Sequence, residues 1–249
     1  MVTGEQGNKV VLIITGDGSH TLFVPELNEH YHSIFGAIQE SRHIFIEAGL
    51  RFKMDDLRYS ITTSSDICDP SSEHPAITIL EIGFGTGLNA LLTLTEAEKT
   101  GINMHYTSIE AYPLEENIWR KMNYPDLSGS PDNSFHFEKL HQADWNKDVE
   151  ISPHFTLHKI HVTLENFHPS AEQFNLVYFD AFGPEVQPLL WTEQIFQRLF
   201  YSMVSGGILV TYSVKGVFVK ALKGAGFTTE KLPGPPGKRH ILRARKQMK

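Results

Sequence analysis

Short runs rich in β-branched, aliphatic and aromatic residues recur along most of the chain, separated by polar or amphipathic stretches. Runs of this kind predict strands buried in a sheet. The predicted strands are residues 77–82, 104–109, 155–160, 176–180 and 208–212. Apolar residues with helical spacing follow three of them, over residues 88–94, 191–199 and 216–225. Strands that alternate with helices predict an α/β fold, a mostly parallel sheet with helices on both faces.

The two ends of the chain carry a different pattern. Two β-rich runs flank the turn at residues 16–18 and predict an N-terminal β-hairpin. A helix is predicted to begin at Ser33, an N-cap residue, and to end at Gly49, a C-terminal cap. Residues 227–232 and 240–244 predict a closing antiparallel hairpin.

These patterns divide the chain into two parts. Residues 1–75 are predicted to form an N-terminal extension of hairpin and helix, ending in a polar connector over residues 51–75. Residues 76–249 are predicted to form a Rossmann-like domain. Within it, residues 121–154 are expected to be mainly loop, because Asn, Asp, Gly and Pro cluster there.

A glycine-rich loop follows the first strand of that domain. Gly83, Gly85 and Gly87 stand at alternate positions, directly before the helix that begins at Leu88. Glycine lets a backbone turn tightly and bring its N–H groups close to a ligand, and the helix N-terminus behind the loop carries partial positive charge. Strand, loop and helix together predict the first unit of a doubly wound nucleotide-binding fold. The alternative is that the glycines only form a turn.

Two common nucleotide sites do not fit this loop. A dinucleotide fingerprint has a third small residue where this chain has Leu88. A phosphate-binding P-loop needs a lysine, and none occurs between Lys53 and Lys99.

The loop instead resembles the first motif of class I S-adenosylmethionine-dependent methyltransferases. Glu81, Gly83, Gly85 and Gly87 match that motif, and the resemblance implies that they surround the methionine part of the donor. Such enzymes also have an acid at the end of the second strand that holds the ribose hydroxyls. Glu110 stands at that position.

A carboxylate, Asp180, ends the fourth predicted strand. Ligands of open α/β sheets bind at the carboxyl ends of the strands, so Asp180 is expected beside the glycine loop. A carboxylate there can orient an amine and accept the proton that methyl transfer releases. Nucleobase-amine methyltransferases of this class often carry Asn-Pro-Pro-Tyr at this point, whereas Asp180-Ala-Phe-Gly-Pro184 favours a basic aliphatic amine. The alternative is an acid that only caps the loop.

Several blocks of sequence, in the same order, resemble one family of these enzymes. It is the methyltransferase unit of the MnmC type, which completes 5-methylaminomethyl-2-thiouridine at the wobble position of certain bacterial tRNAs. The resemblance covers roughly residues 25–244 and implies tRNA, bound at its anticodon region, as the partner. The matching blocks are residues 31–45, 80–89, 108–110, 179–191, 205–213, 216–227 and 237–239.

The resemblance implies a role for further residues. Asp180 would be catalytic, with Phe182, Gly183 and Pro184 at the aminomethyl group. Bifunctional members of the family also carry a flavin-dependent oxidase domain, and these 249 residues are too few to include it. The chain is therefore expected to perform the methyl step only.

The donor pocket shows one departure from the family's pattern. Tyr31 and Ser33 would stand at the lid of that pocket. Thr163 occupies the position where the family commonly has an acid that contacts adenine, so adenine recognition is expected to differ.

Composition narrows the remaining choices. A hydrophobic fraction of 41% indicates a globular chain, and no apolar run approaches the roughly 20 residues of a membrane span. Cys68 is the single cysteine, which excludes an internal disulfide and favours the cytoplasm. The 13 histidines are scattered without metal-binding spacing, so no metal site is predicted. A net charge of −7 argues against a broad nucleic-acid surface.

The charge is unevenly distributed. Residues 231–249 hold seven Lys or Arg and no acid. Lys238 and Arg239 in this run are candidates for phosphate contacts in the substrate, and a solvated basic tail is the equal alternative.

Two other functions remain open at this point. An aminopropyl or methyl transferase similar to polyamine synthases would share an Asp at this strand end, and would need an acidic pocket for a polycationic substrate. A non-catalytic partner in tRNA modification would keep the donor site without turnover. The intact Asp180 disfavours the non-catalytic partner, while the Thr163 departure leaves it possible.

Overall fold

The computed structural model describes residues 10–63 and 76–247 and contains a central sheet of eight strands. The strand order is β10-β11-β9-β8-β4-β5-β7-β6, and strands β9, β8, β4, β5 and β7 run parallel to one another. The predicted mostly parallel sheet with an antiparallel C-terminal hairpin is confirmed. The strands are β4 (Ile77–Ile82), β5 (Met104–Glu110), β6 (Asp148–Ser152), β7 (Phe155–His161), β8 (Phe174–Phe179), β9 (Met203–Thr211), β10 (Thr228–Pro233) and β11 (His240–Arg245).

Helices cover both faces of this sheet, and two clusters of buried side chains lie between the layers. Adjacent residues of one strand belong to different clusters: Tyr178 packs on one face of the sheet and Phe179 on the other. Strands buried on both faces explain the near-continuous apolar runs in the sequence. The helices of this domain are α3 (Leu88–Thr100), α4 (Glu116–Trp119), α5 (Tyr124–Leu127), α6 (Asn133–Gln142), α7 (Glu193–Ser202) and α8 (Gly216–Gly224).

Strand β4 is the point at which the order of strands in the sheet switches sides. Its neighbours are β5 on one side and β8 on the other, so the carboxyl ends of these three strands meet. Gly83 N–H donates to the Ile109 carbonyl at 2.9 Å, and Asp180 N–H donates to the Ile82 carbonyl at 3.3 Å. This switch point is where ligands of doubly wound folds bind.

The N-terminal part of the chain forms its own small sheet followed by a long helical segment. Strands β1 (Val11–Ile14), β2 (His20–Val24) and β3 (Glu29–His30) form an antiparallel meander. Helix α1 (Ala37–Ser41) continues into a π-helical stretch (Arg42–Arg51) and then into α2 (Phe52–Thr63).

The predicted ends of that helix were wrong. Its N-cap is Gly36 and not Ser33, and the helix runs past Gly49. A side chain at Gly49 would approach within 3.0 Å of Val210 and 3.3 Å of Tyr178. This glycine therefore allows the helix to pack closely against the sheet, a tertiary requirement that a cap pattern cannot reveal.

Two segments predicted as loop contain regular structure. Residues 52–63 of the supposed connector are helix α2, while residues 64–75, including Cys68, lie outside the described residues. Residues 121–154 contain α5, α6 and β6. The Asn, Asp, Gly and Pro residues there separate these short elements, and the buried Phe137 and Leu140 attach α6 to the core.

Within the described ranges, none of the helices has the length and apolarity needed to cross a membrane. Nor do those ranges bring three or more His, Cys, Asp or Glu side chains together as metal ligands.

Candidate active site

A cavity of about 820 Å³ opens at the carboxyl ends of strands β4, β5 and β8. One side is formed by the glycine loop and the residues after β5, and we call it the glycine-loop wall (Gly83, Gly85, Glu110). The other side is formed by residues distant in sequence, and we call it the Asp180 wall (Asp180, Glu40, Tyr212, Lys238). The volume of the cavity is typical of small-molecule sites.

The glycine loop requires glycine for geometric reasons. All three residues have left-handed backbone conformations, with φ of 91° at Gly83, 50° at Gly85 and 74° at Gly87. A Cβ atom at Gly85 would lie 3.2 Å from the Tyr31 ring, and one at Gly87 would lie 2.8 Å from His141 Nε2. Gly87 is the N-cap of α3 and offers no side chain, so first-turn N–H groups of that helix have no side-chain cap.

Glu110 closes the glycine-loop wall. Its Oε2 accepts a hydrogen bond from Gly85 N–H at 2.9 Å, and its Oε1 accepts one from Tyr112 N–H at 2.8 Å. Each carboxylate oxygen has a second lone pair, so Glu110 retains capacity to accept hydroxyl groups of a ligand. Burial, together with the charge of Glu110, raises the pKa of Tyr31 above its usual value.

Glu81 lies beneath the loop, fully buried and outside the cavity wall. The Ser108 hydroxyl donates to its Oε2 at 2.7 Å. Burial raises the pKa of Glu81 to about 8. Its position ties the end of β4 to β5 and supports the loop from below.

Asp180 follows β8 and faces the cavity, where it is half-buried. The Asn89 side-chain amide, from the first turn of α3, donates to its Oδ2 at 2.8 Å. Burial raises the pKa of Asp180 well above its usual value, and the negative charge of Glu40 acts in the same direction. Asn89 opposes this shift and fixes the orientation of the carboxylate.

The rest of the Asp180 wall is held by an ion pair. Lys238 Nζ lies 2.9 Å from Glu40 Oε1 and 5.0 Å from the centroid of the Tyr212 ring. The second oxygen of Glu40 accepts from Ser33 N–H at 2.8 Å. Tyr212 in turn donates its hydroxyl to the Ala181 carbonyl at 2.9 Å, which fixes the start of the loop after Asp180.

Aromatic contacts join the two walls. The rings of Tyr31 and Phe182 meet edge to face with centroids 5.2 Å apart. The indole N–H of Trp191 donates to the Phe182 carbonyl at 2.8 Å. Tyr31 thus lies between the glycine loop and the loop after Asp180.

A buried polar cluster anchors the N-terminal part of the chain to the glycine loop. The Thr86 hydroxyl is hydrogen-bonded to His32 Nε2 at 2.8 Å and accepts from the Tyr124 hydroxyl at 3.2 Å. Burial lowers the pKa of His32 to about 4, so this imidazole is neutral at physiological pH. No sequence pattern indicates this cluster, because its three members are far apart in the chain.

The predicted site residues divide into two groups. Eight of them line the cavity: Tyr31, Ser33, Gly83, Gly85, Glu110, Asp180, Phe182 and Lys238. Six lie outside its wall: Glu81, Gly87, Thr163, Gly183, Pro184 and Arg239. At the predicted adenine position the wall is formed instead by Val162 and Leu164, the neighbours of Thr163. Asn89, Glu40 and Tyr212 belong to the site and were not predicted.

The basic C-terminal run is not a solvated tail. Arg243 pairs with Glu230 at 2.9 Å, and Arg245 pairs with Asp56. Lys246 is buried and donates to the carbonyls of Phe200 and Met203. Most of these cations therefore stabilise the fold.

The arrangement suits two ligands side by side, a donor that contains a nucleoside and an acceptor that carries an amine. Glu110 can receive hydroxyl groups, the left-handed glycines leave room for a ligand at the backbone, and Asp180 can receive an amine. The fold and this cavity define a class I S-adenosyl-L-methionine-dependent methyltransferase. Comparison with known proteins agrees: a family model described as S-adenosyl-L-methionine-dependent methyltransferase matches residues 137–247.

Two of the chain's relatives carry the same name. The chain is 29% identical over 235 residues to the tRNA 5-methylaminomethyl-2-thiouridine biosynthesis bifunctional protein MnmC of Magnetococcus marinus, covering 90% of this chain and 32% of that protein. It is 27% identical over 239 residues to the protein of the same name from Legionella pneumophila, covering 87% of this chain and 34% of the relative. The chain thus spans about a third of the length of these relatives. Over most of its length the chain is therefore similar to proteins of the MnmC type.

Solved structures support the fold. MNMC2 from Aquifex aeolicus superposes with a TM-score of 0.72 at 22% identity, covering 99% of this chain and 73% of that one. Spermidine synthase from Thermotoga maritima superposes with a TM-score of 0.52 at 15% identity, covering 93% and 70%. S-adenosyl-L-methionine is the cofactor of this enzyme, and the glycine-loop wall offers the cradle and the acid that such a donor requires.

Proposed function

We propose that this methyltransferase acts on the primary amine of a 5-aminomethyl (2-thio)uridine at the wobble position of tRNA. The product would be 5-methylaminomethyl-2-thiouridine. The observation that carries the proposal is Asp180, an oriented carboxylate in the wall of the cavity that Glu110 also lines. The names of the relatives support the choice of acceptor, and such a substrate would place the activity in the bacterial cytoplasm.

The glycine-loop wall would hold the donor. We assign Glu110 to the ribose hydroxyls, Gly83 and Gly85 to the methionine part, and Tyr31 with Ser33 to the cover over it. When bound, S-adenosyl-L-methionine supplies an electrophilic methyl group. A Cβ atom at Gly85 would lie 3.2 Å from the Tyr31 ring, so glycine at this position lets Tyr31 cover the loop closely.

Asp180 would bind the amine and receive its proton. An aliphatic amine is mostly protonated at neutral pH, and an ammonium has no lone pair for attack. The carboxylate holds the nitrogen by a charge-assisted hydrogen bond and takes up a proton. The raised pKa of Asp180 makes it a stronger base than an exposed aspartate. Asn89 would keep the accepting oxygens directed at the amine.

The charge balance of the site favours a monoamine over a polyamine. A polycationic substrate would need several unpaired carboxylates near Asp180. Two acids close to this wall, Glu40 and Glu185, are instead paired with Lys238 and Lys215, which leaves Glu29 near Tyr212 as the acid without an ion pair among the described residues. The pocket therefore has less free negative charge than a count of its acids suggests.

The test is methyl transfer to tRNA that carries the free 5-aminomethyl group, followed with isotopically labelled donor. The expected product is a single methylated wobble nucleoside, with no transfer to the same tRNA lacking the aminomethyl group. Putrescine and spermidine serve as a parallel arm. Transfer to these amines in preference to tRNA would replace the proposed function by a polyamine-type activity.

A further inference from the structure

Two exposed apolar side chains and one exposed cation stand at the mouth of the cavity beside the Asp180 wall. Ile34 is 49% exposed and Phe35 is 55% exposed. Arg239 is exposed on the turn between β10 and β11. We call this group the Phe35 lip (Ile34, Phe35, Arg239). Exposed apolar groups at the edge of a site commonly mark a binding surface.

The backbone beneath the lip is fixed. The Ile34 carbonyl accepts from Gly16 N–H at 2.8 Å, and Phe35 N–H donates to the Ser33 hydroxyl oxygen at 3.2 Å. The Phe35 ring packs against Gly237, at which no side chain would fit. A solvent-exposed ring on a pinned loop is pre-organised, so a ligand that covers it loses little conformational entropy.

The lip is continuous with the wall that receives the acceptor. Ser33, the residue before Ile34, donates its N–H to Glu40, and Glu40 pairs with Lys238. Lys238 is in turn the residue before Arg239. The lip therefore borders the wall that contains Asp180.

The cation of the lip is available for an external partner. Lys238, Arg243 and Arg245 are each paired with a carboxylate inside the protein. Across residues 10–63 and 76–247, Arg239 has no such side-chain partner. An exposed guanidinium at Arg239 and a phenyl ring that packs against Gly237, two residues before it in the chain, suit a chain of phosphates and flat bases.

We propose that the Phe35 lip binds the nucleotides adjacent to the target nucleoside in a single-stranded RNA loop. A nucleoside that enters a buried site must leave its stack, which exposes the faces of its neighbours. Phe35, supported by Ile34, stacks on one of these bases, and Arg239 contacts a phosphate. The inference rests on the proposed function and extends it to substrate recognition.

Steady-state kinetics of Phe35→Leu and Arg239→Gln test the lip. Phe35→Leu keeps an apolar contact with Gly237 but removes the ring, so the KM for tRNA should rise about 5- to 100-fold, the usual range for loss of one stacked base. Arg239→Gln should reduce the slope of log affinity against log salt by about 0.7, the value for one phosphate of a single strand. Donor affinity and the rate on the isolated 5-aminomethyluridine nucleoside should stay unchanged.

Matched controls come from exposed aromatic residues away from the cavity. Phe135 is 65% exposed and Tyr201 is 62% exposed, and neither residue lines the cavity. Phe135→Leu and Tyr201→Leu should leave the KM for tRNA unchanged, whereas Phe35→Trp should retain wild-type affinity.

The outcomes separate the two proposals. If the enzyme methylates tRNA and both lip variants show unaltered tRNA kinetics, the proposed role of the Phe35 lip in binding RNA would be wrong. An equal rise in the KM for tRNA in the Phe135 or Tyr201 control variants would contradict that role as well. Failure of the wild-type enzyme to methylate any tRNA would instead contradict the proposed function.

Discussion

The two walls of the cavity are built in different ways. The glycine-loop wall comes from one continuous stretch, in which the end of β4, its loop and the end of β5 lie within about 30 residues of each other. The Asp180 wall collects side chains from the N-terminal helical segment, the ends of β8 and β9, and the C-terminal hairpin turn. Local sequence defines the first wall, and long-range packing defines the second.

The walls also differ in how they present polar groups. The glycine-loop wall presents one carboxylate, Glu110, that already accepts hydrogen bonds from the N–H groups of Gly85 and Tyr112. The Asp180 wall uses side chains, and its acids are balanced by Asn89 and Lys238. We therefore expect changes in the first wall to affect donor affinity and changes in the second to affect the acceptor step.

Asp180→Asn should give the largest effect. The variant keeps shape and the ability to accept a hydrogen bond, but it loses the charge and the proton acceptor. Methyl transfer should fall about 10²–10⁴-fold, the usual contribution of a general base. Single-turnover kinetics and donor calorimetry measure the two quantities separately, and donor affinity should be retained. Wild-type turnover at neutral pH would remove Asp180 from the mechanism.

Glu110→Gln should show the opposite pattern, with weaker donor binding and an unchanged KM for tRNA. The neutral amide loses charge-assisted hydrogen bonds worth about 1.5–3 kcal/mol each. Donor affinity should therefore fall roughly 10- to 100-fold, measured by calorimetry, while the KM for tRNA stays constant. Glu115→Gln, an exposed acid near the same rim, is the control. Equal affinities for the Glu110 variant and the wild type would contradict its assignment to the ribose.

Much of the fold could be predicted because buried strands and glycine loops leave local signals. The contact between Gly85 and Glu110 follows from two strand ends that topology brings together. Glu40 carries no such signal, since it lies within a helix and becomes part of the site only through Lys238, almost 200 residues later. Lys238 itself was predicted to meet phosphate, but the fold turns it inward to a carboxylate.

Lys238→Met should produce a moderate effect confined to the Asp180 wall. Removal of the ammonium leaves Glu40 largely buried without its counter-charge, a costly state for a carboxylate. We expect kcat/KM for tRNA to fall about 10-fold, with donor affinity unchanged. Lys231→Met, an exposed lysine on β10, is the matched control. The double variant with Glu40→Gln should recover part of the loss, and an additive loss would show that the two residues act independently.

Glu81→Gln should have the smallest effect on activity, because Glu81 acts on the stability of the fold. The pKa of Glu81 is about 8 in the folded protein because of burial, against 4.5 ordinarily. Between pH 4.5 and 8 the unfolded chain releases this proton while the folded chain keeps it, so ionisation increasingly favours the unfolded state as pH rises.

The glutamine side chain introduced by this substitution would remain neutral at every pH and can still accept from Ser108. The difference in melting temperature, variant minus wild type, should therefore become more positive as pH rises from about 5 to about 8.5. Each kcal/mol of stability corresponds to about 2–4 °C. Calorimetric melting curves across this range provide the measurement. A difference that does not change with pH would indicate an ordinary pKa for Glu81, and a glycine loop supported by a charged carboxylate rather than a neutral one.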